Sequence, residues 1–330
     1  MIISRAPVRI SLGGGGTDLS SYYSEFGGFL IAAAIDKYVF ISVNRRFYES
    51  IRLSYSETEI VDSVDSIRHK IFRESLKKLD VDKQIELVSI ADVPANCGLG
   101  SSSAFTVSLL NALHAYKRDF ISLKDLAEEA CEIEIDILEE PIGKQDQYIS
   151  AFGSVTCLTF ERDGDVLVEP IHMTNEKMME LENNIMLFYT GIERKASDIL
   201  SSQNEKTKKR DESIVSTLHQ IKEIGIETRT AFEKGDLGKF GELLDLHWRT
   251  KKKLSSKISD PFIDECYEIA RKNGATGGKI KGAGGGGFFM FYCPREQSKL
   301  IEAMKKQGLP FMHFRFDFEG AKILVNMKAR

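Results

Sequence analysis

One segment of the sequence combines glycines and hydroxyls in a pattern that binds anions. Pro94 to Ala104 reads Pro-Ala-Asn-Cys-Gly-Leu-Gly-Ser-Ser-Ser-Ala, between a β-rich run at 85–90 and an apolar helical run that ends near Tyr116. The amides that open a helix lack partners within it, and the helix dipole is positive at that end. The segment therefore predicts a phosphate site, although an isolated Gly-x-Gly is also typical of a turn followed by a serine cap.

Two further glycine runs carry polar neighbours. Residues 13–16 are four consecutive glycines, with Arg9 upstream and Thr17-Asp18 directly after them. Residues 282–287 include five glycines and follow Lys281. Ordering so many glycines costs more backbone entropy than ordering any other residue type, so a simple connector rarely uses them. We expect both runs to face a ligand rather than only to turn the chain.

A carboxylate with polar neighbours follows the predicted helix at about 123–138. The segment Gly143-Lys144-Gln145-Asp146-Gln147-Tyr148 comes just after Glu139-Glu140-Pro141, which predicts a loop at a helix end. An acidic side chain in such a place is a candidate general base or a group that orients a hydroxyl. The alternative is a surface turn in which Asp146 acts as a cap.

The elements that must position these groups follow from hydrophobic periodicity. Helices are predicted at about 67–79, 102–116 and 123–138, within a charged region at 196–273, and at 296–306. Strands are predicted at 38–43, 85–90, 155–160, 166–171, 185–189, 288–292, 312–316 and 322–325. We place a domain boundary within 172–184, which gives an N-terminal domain at 1–178 and a C-terminal domain at 179–330.

Composition restricts the class of protein. The chain has 330 residues, 42% of them hydrophobic, and a net charge of −4, which gives no reason to expect a nucleic-acid partner. Five separated cysteines and six dispersed histidines show no metal-ligand spacing. No signal segment or membrane span is apparent, so we expect a soluble cytoplasmic protein with reduced thiols and no membrane partner. The oligomeric state is left open.

The three glycine-rich motifs, in this order, resemble the GHMP kinase superfamily across the whole chain. Its first motif matches Ala6 to Asp18, its second Pro94 to Ala104, and its third Lys281 to Gly287. The resemblance implies an α/β (α+β) fold of two domains, with the ligands in the cleft between them. The first domain would be ribosomal-protein-like with a left-handed βαβ crossover, and the second a ferredoxin-like sandwich.

The resemblance also implies roles for individual residues. Asp146 and Arg9 would be catalytic. Mg²⁺ would be bound by Ser102 and Glu134, with Asp136 as the alternative to Glu134. The expected ATP-binding residues are Pro94, Asn96, Gly98, Leu99, Gly100, Ser101, Ser102 and Ser103. The expected substrate-binding residues are Gly14, Gly15, Gly16, Thr17, Asp18, Lys144, Gly284 and Gly285.

Arg9, Thr17-Asp18 and the Gly143 to Gln147 segment are similar to the sugar 1-kinases of the superfamily, which phosphorylate an anomeric hydroxyl. Gly15 and Gly16 stand where the galactokinase pattern has Glu-His, which favours a phosphorylated sugar such as a heptose 7-phosphate. Lys144 would contact the transferring phosphoryl group, the sugar phosphate, or Glu140 in an ion pair. The alternatives are a 1-kinase for an unphosphorylated sugar such as fucose or galactose, and a non-enzymatic sugar sensor.

Overall fold

The computed structural model describes residues 1–193 and 197–327, which form two sheets and the helices that cover them. Its strands are β1 (Ile2–Gly13), β2 (Gly28–Arg45), β3 (Ile51–Ser54), β4 (Thr58–Val61), β5 (Ile85–Ala91), β6 (Val155–Phe160), β7 (Val166–Pro170), β8 (Ile185–Tyr189), β9 (Gly277–Ile280), β10 (Phe288–Tyr292), β11 (Phe311–Met312) and β12 (Lys322–Asn326). Its α-helices are α1 (Ser20–Phe26), α2 (Lys70–Lys78), α3 (Ser101–Lys117), α4 (Leu123–Cys131), α5 (Gln145–Phe152), α6 (Asn175–Asn184), α7 (Ser197–Lys208), α8 (Glu212–Glu233), α9 (Leu237–Lys251), α10 (Pro261–Lys272) and α11 (Gln297–Lys306).

The first sheet is built around the long strands β1 and β2. Its order is β12-β1-β2-β5-β3-β4, and β2 also pairs with β6, which in turn pairs with β7. Helices α3, α5 and α8 pack on β1 and β2. From Ala6 to Gly13 every residue of β1 is buried, so that this strand reads as a continuous rather than an alternating apolar run. Arg9 is the charged residue of this buried run, and its side chain lies inside the fold rather than at the surface.

The second sheet has the order β11-β8-β10-β9, and all its pairs are antiparallel. Helices α7 to α10 connect β8 to β9, β10 follows β9 directly, and α11 connects β10 to β11. This is the βαββαβ arrangement of a ferredoxin-like unit, as expected. Phe289 and Phe291 of β10 share a buried cluster with Trp248 of α9, so Trp248 is a core residue.

Three predicted elements differ from the structure. The helix at 123–138 ends as an α-helix at Cys131 and continues as a π-helix over Glu132–Ile137, whose wider turn leaves Ile133 and Glu134 both buried. The strand at 312–316 is shortened to β11, because the following backbone bonds to Ala34 and Asp36 instead of to a neighbouring ladder. Gln145 to Tyr148 belong to α5, not to a loop.

The C-terminal strand returns to the first half of the molecule. β12 pairs with β1 in an antiparallel ladder that joins Ile2 with Asn326 and Arg5 with Lys322. The parallel pair of the first sheet is β3 with β5. A single division at 178/179 therefore assigns β12 to a different half from its partner strand, and both that boundary and the left-handed crossover stay predictions.

Candidate active site

The three glycine-rich segments meet at one cavity of about 490 Å³. One wall of the cavity is formed by β1 of the first sheet and by the first turns of α3 and α5, which pack on that sheet. The second sheet contributes β9, the loop after it and the C-terminal end of α9. A ligand in this cavity would contact both halves of the molecule.

At one end of the cavity Arg9 and Asp146 form a two-pronged ion pair. Arg9 Nε donates to Asp146 Oδ1 at 2.7 Å, and Arg9 Nη2 donates to Asp146 Oδ2 at 2.8 Å. Arg9 Nη1 also donates to the carbonyl of Gly98 at 2.7 Å, which fixes the guanidinium plane. Each carboxylate oxygen retains a further lone pair, so Asp146 can accept a hydrogen bond from a ligand hydroxyl while Arg9 holds it.

The phosphate loop predicted from the sequence opens α3. Gly100 precedes the helix in the left-handed region at φ 75° and supplies no side-chain cap, so the first amides of α3 are left for a ligand. A Cβ on Gly100 would lie 2.9 Å from Asp146 Oδ2. The carboxylate of Asp146 therefore lies beside the predicted anion site, and only glycine leaves room for it.

The second and third glycine segments pack backbone against backbone. A Cβ on Gly98, at φ +79°, would lie 2.7 Å from the carbonyl oxygen of Lys281. A Cβ on Gly282 would lie 2.7 Å from the Cα of Gly98. These glycines therefore join the two halves of the molecule at the floor of the cavity.

Ser102 and Glu134 lie side by side, as the resemblance implied. Ser102 Oγ donates to Glu134 Oε1 at 2.9 Å, and Gln147 Nε2 donates to Glu134 Oε2 at 2.7 Å. Burial raises the pKa of Glu134 to about 7, against the opposing hydrogen bonds from the serines and Gln147. A hydroxyl and a carboxylate are the hard oxygen ligands that Mg²⁺ prefers, so the donor set fits that ion. The structure favours Glu134 over Asp136, which does not line the cavity.

The first glycine run forms the wall next to Asp18. Asp18 accepts hydrogen bonds from the Gly16 amide at 3.1 Å and from Gln145 Nε2 at 3.0 Å, and burial raises its pKa. The Gly16 amide is therefore already hydrogen-bonded within the chain. Gly15 lines the cavity, and a Cβ there would lie 2.7 Å from Ser11 Oγ.

Lys144 does not face the cavity, which corrects the expectation that it binds substrate. Its ammonium donates to Glu128 at 3.0 and 3.2 Å and to the carbonyl of Gly164 at 2.9 Å. The ion pair with Glu140 that was considered as an alternative is replaced by this pair with Glu128. Lys144 precedes α5, and its side chain ties that helix to α4 and to the loop before β7.

Five other predicted site residues support the cavity without lining it. Thr17 Oγ1 donates to the carbonyls of Gly14 and Phe29, both at 2.9 Å, and holds the first glycine run against β2. Gly285 donates its amide to Ile258. The residues concerned are Gly14, Thr17, Pro94, Leu99 and Gly285, whereas Gly15, Gly16, Asp18, Asn96, Gly98, Gly100, Ser101, Ser102, Ser103, Glu134, Asp146, Arg9 and Gly284 all line the cavity.

The cationic end of the cavity was not predicted from the sequence, apart from Lys281 in the third glycine motif. Lys251, Lys279, Lys281 and His247 line it, although the six histidines are dispersed in the sequence and show no ligand spacing. Lys279 and Lys281 lie two residues apart at β9 and its end, and both are nearly fully buried. Lysines in an otherwise apolar strand run, Gly277-Gly278-Lys279-Ile280-Lys281, were the signal available in the sequence.

Among the residues that the structure describes, no helix is long and apolar enough to cross a membrane. In the same part of the chain no group of three or more His, Cys, Asp or Glu side chains forms a metal cluster. The five cysteines are free and buried.

Comparison with known proteins gives matches along the whole chain. The model of the GHMP kinases N terminal domain matches residues 66–154, and that of the GHMP kinases C terminal matches residues 228–309. The chain is 32% identical to D-glycero-alpha-D-manno-heptose 7-phosphate kinase of Campylobacter jejuni, over 97% of this chain and 98% of that protein. It is 25% identical to L-fucokinase/L-fucose-1-P guanylyltransferase of Bacteroides fragilis, over 96% of this chain and 37% of that protein.

A solved structure gives the same picture. The crystal structure of a D-glycero-D-manno-heptose 1-phosphate kinase from Bacteroides thetaiotaomicron is similar at a TM-score of 0.83 and 26% identity, over 99% of this chain and all of that one. The names of these relatives place the sugar phosphate at different positions, so similarity alone does not assign the substrate.

Proposed function

The chain belongs to the GHMP kinase family, and we propose that it transfers the γ-phosphoryl group of ATP to the anomeric C1 hydroxyl of a phosphorylated sugar. The substrate we propose is D-glycero-D-manno-heptose 7-phosphate, which gives the 1,7-bisphosphate and ADP. That the chain is an ATP-dependent sugar kinase follows from its family together with its heptose-kinase relatives. The identity of the sugar, the position of transfer and the need for Mg²⁺ are the parts that we propose.

The observation that carries the proposal is the place of Asp146. Its carboxylate is held by two hydrogen bonds from Arg9 and lies next to Gly100, at the N-terminal end of α3. A phosphate bound at that helix end and a hydroxyl bound at Asp146 would therefore be neighbours. Phosphoryl transfer depends mainly on such positioning and on charge stabilisation.

The chemical step can be written with this chain's residues. The oxygen of the C1 hydroxyl forms a bond to the γ-phosphorus, and the bond from that phosphorus to the β,γ-bridging oxygen breaks. Asp146 orients the hydroxyl and accepts its proton, while ADP leaves with the bridging oxygen. Arg9 keeps Asp146 in place, and the amides at the start of α3 bind phosphate oxygens.

Ser102 and Glu134 would hold Mg²⁺ through their oxygens. When bound, the ion supplies positive charge to the ATP phosphates. Burial raises the pKa of Glu134 to about 7. Without a bound cation, its carboxyl group is therefore partly protonated near neutral pH. Gln147 orients Glu134 from the other side.

The test is a coupled ADP-release assay with free hexoses, hexose 6-phosphates and heptose 7-phosphates, followed by ³¹P NMR of the product. We expect the highest kcat/KM with a heptose 7-phosphate and the new phosphate on C1. A new phosphate on another carbon, or a preference for a free sugar, would contradict the proposal.

A second candidate is a 1-kinase for an unphosphorylated sugar such as fucose. The similarity to a protein named L-fucokinase/L-fucose-1-P guanylyltransferase favours it, and the same panel separates the two. The non-enzymatic sugar sensor loses its support, because Arg9, Asp146, Ser102 and Glu134 are assembled as a kinase would need them.

A further inference from the structure

The cationic end of the cavity carries charge that the transfer step does not use. Lys251, Lys279 and Lys281 line the cavity with His247, and we call these four residues the lysine cluster. Lys279 is 3% exposed and Lys281 and His247 are each 1% exposed, while Lys251 is half-buried. Within residues 1–193 and 197–327, no carboxylate lies within salt-bridge distance of these three lysines; their amines contact only neutral groups.

Those neutral contacts are to backbone, a thioether and an imidazole. Lys251 Nζ donates to the carbonyl of Gly282 at 2.5 Å, and Lys281 Nζ donates to the carbonyl of Ser11. Lys279 Nζ lies 2.9 Å from His247 Nδ1. Carbonyls orient an ammonium group but do not neutralise it, so burial and the repulsion of neighbouring cations hold the pKa values of Lys279 and Lys281 well below the ordinary value of lysine.

His247 adds an independent observation that points to a ligand. Burial and the three lysines hold the pKa of His247 well below its ordinary value, so the ring is neutral. When the Lys279 ammonium donates to Nδ1, the ring proton lies on Nε2. That Nε2 is buried and has no hydrogen-bond partner among the described residues, and neither has the Oγ of Ser11, a residue that also lines the cavity. Both are donors that a phosphate oxygen would satisfy.

The cluster lies on the side of the cavity formed by the first glycine run. Lys281 is bonded to Ser11, just before that run, and Lys251 is attracted by Asp18, just after it. Arg9 repels all three lysines, which places them near the guanidinium that holds Asp146. An acceptor sugar bound with C1 at Asp146 would therefore extend toward the cluster.

We infer that Lys251, Lys279, Lys281 and His247 form the receptor for the phosphate group that the sugar already carries. The inference rests on the proposed function, and it replaces Lys144 as the source of the positive charge. A dianionic phosphate favours the protonated form of the three lysines, supplies the negative charge that they lack in the protein, and accepts the free Nε2–H of His247. The cluster thereby determines that phosphorylated sugars are preferred to free ones.

The test compares two substrates that differ only in the phosphate. At saturating ATP, kcat/KM is measured for D-glycero-D-manno-heptose 7-phosphate and for the unphosphorylated heptose, in the wild type, Lys279→Met and Lys251→Met. We expect each variant to lose about 10- to 100-fold with the phosphosugar, the usual effect of losing a charged hydrogen bond, and less than about 3-fold with the free sugar. The KM for ATP should not change.

Two lysines elsewhere provide matched controls. Lys222 is half-buried and donates to the carbonyls of Phe26 and Gly27, and Lys144 is paired with Glu128. Lys222→Met and Lys144→Met should keep the wild-type ratio between the two sugars. If Lys144→Met lowered the preference for the phosphosugar as much as Lys279→Met does, Lys144 would be the residue that binds the sugar phosphate. That result would overturn the inference.

A binding measurement without ATP separates affinity from catalysis. Heptose 7-phosphate should raise the Tm of the wild type, and this rise should shrink in Lys279→Met and Lys251→Met. The Tm of unliganded Lys279→Met should equal or exceed that of the wild type, because methionine removes the cost of burying a lysine amine. If Lys279→Met does not fold, the half-buried Lys251→Met decides alone.

The outcomes distinguish the inference from the proposed function. A wild type that prefers the free heptose rejects the phosphosugar substrate and the receptor with it. A wild type that prefers the phosphosugar, with variants that lose both sugars equally or that raise the KM for ATP instead, keeps the proposed function and overturns the receptor. In the last case the lysines bind the phosphates of the nucleotide.

Discussion

At the end of the cavity beside α3, the carboxylates of Asp146 and Glu134 have hydrogen-bond donors on both oxygens, whereas at the end beside β9 three lysine amines have no acidic partner among the described residues. Asp146 has both oxygens occupied by Arg9, and Glu134 has both occupied by Ser102 and Gln147. The amines of Lys251, Lys279 and Lys281 contact neutral groups only, within the described parts of the chain. We call the end beside α3 the matched end, because the protein itself supplies the hydrogen bonds that position its carboxylates before any ligand arrives. We call the end beside β9 the unmatched end, because its lysines obtain an acidic partner only from a ligand.

This difference predicts different consequences of mutation at the two ends. Losing a group at the matched end should change kcat, because the reacting atoms lose their geometry. Losing a group at the unmatched end should change the affinity for an anion and should not destabilise the protein. The four predictions below test that division, in order of decreasing effect.

The largest effect is expected for Asp146→Asn. The amide keeps the size of the side chain but neither accepts a proton nor pairs fully with Arg9, so kcat should fall about 10²- to 10⁴-fold. The KM for ATP should change little. Steady-state kinetics with Asp165→Asn as control measure this, since Asp165 forms an exposed ion pair with Lys124. A kcat near that of the wild type would reduce Asp146 to a helix-start residue of α5.

Arg9→Lys keeps the charge but removes the two-pronged geometry. A lysine cannot donate to both oxygens of Asp146 and to Gly98 in one plane, so Asp146 should be misplaced and kcat should fall by roughly 10²-fold. Arg52→Lys is the control, because Arg52 pairs with Glu86 at the surface. If Arg9→Lys retains kcat and loses only affinity for the phosphosugar, Arg9 belongs with the unmatched end instead.

Gly98→Ala tests the backbone contact that joins the two ends. A Cβ there meets the Lys281 carbonyl at 2.7 Å and is strained at φ +79°, whereas Gly308 has a similar φ of +78° and open space. Gly308→Ala should cost about 1–2 kcal/mol from the left-handed backbone alone, and Gly98→Ala should cost clearly more. Urea unfolding measures both free energies of unfolding. Equal losses would mean that the third glycine segment moves aside freely.

The smallest effect concerns pH. Burial, with help from Arg9, lowers the pKa of Lys251 from 10.5 to about 8, against the attraction of Asp18. Lys279, Lys281 and His247 surround the same space. Between about pH 8 and pH 10.5, the Lys251 amine is protonated in the unfolded chain but largely deprotonated in the folded protein. The free energy of unfolding therefore rises with pH in this range. Relative to Lys251→Met, the wild type should gain stability between about pH 8 and pH 10.

Urea unfolding of both proteins at about pH 7.5 and pH 9.5 checks this, and the difference between them removes the effect of the tyrosines and cysteines. If the difference in the free energy of unfolding between the two proteins were the same at both pH values, Lys251 would not be desolvated in solution.

The sequence predicted the matched end of the cavity better than the unmatched end. Gly98, Ser102, Glu134, Asp146 and Arg9 belong to motifs with family-like spacing, and the structure brings them together. The lysine cluster combines α9 with β9, and only the packing of α9 on β9 brings His247 to Lys279. A single sequence carries no information on that long-range contact.

The fold shows the same limit. Apolar residues predicted a helix at 102–116, observed as α3, and two strands of the second sheet, at 185–189 and 288–292, because these elements are largely buried. The alanine-rich start of β2 at Gly28–Ile35 was missed, since short side chains carry little strand propensity. The π-helix at Glu132–Ile137 was missed because Glu134, buried by it, reads as an exposed acid in a helical pattern.

The return of β12 to β1 has a consequence for synthesis on the ribosome. The first sheet is completed by β12, which leaves the ribosome after every strand of the second sheet. The first half therefore reaches its final form only once the second half has been translated. A fragment that stops near residue 178 would leave the edge of β1 unpaired between Ile2 and Arg5 and open to pairing with another chain. The two halves are therefore coupled in biogenesis as well as in the cavity they share.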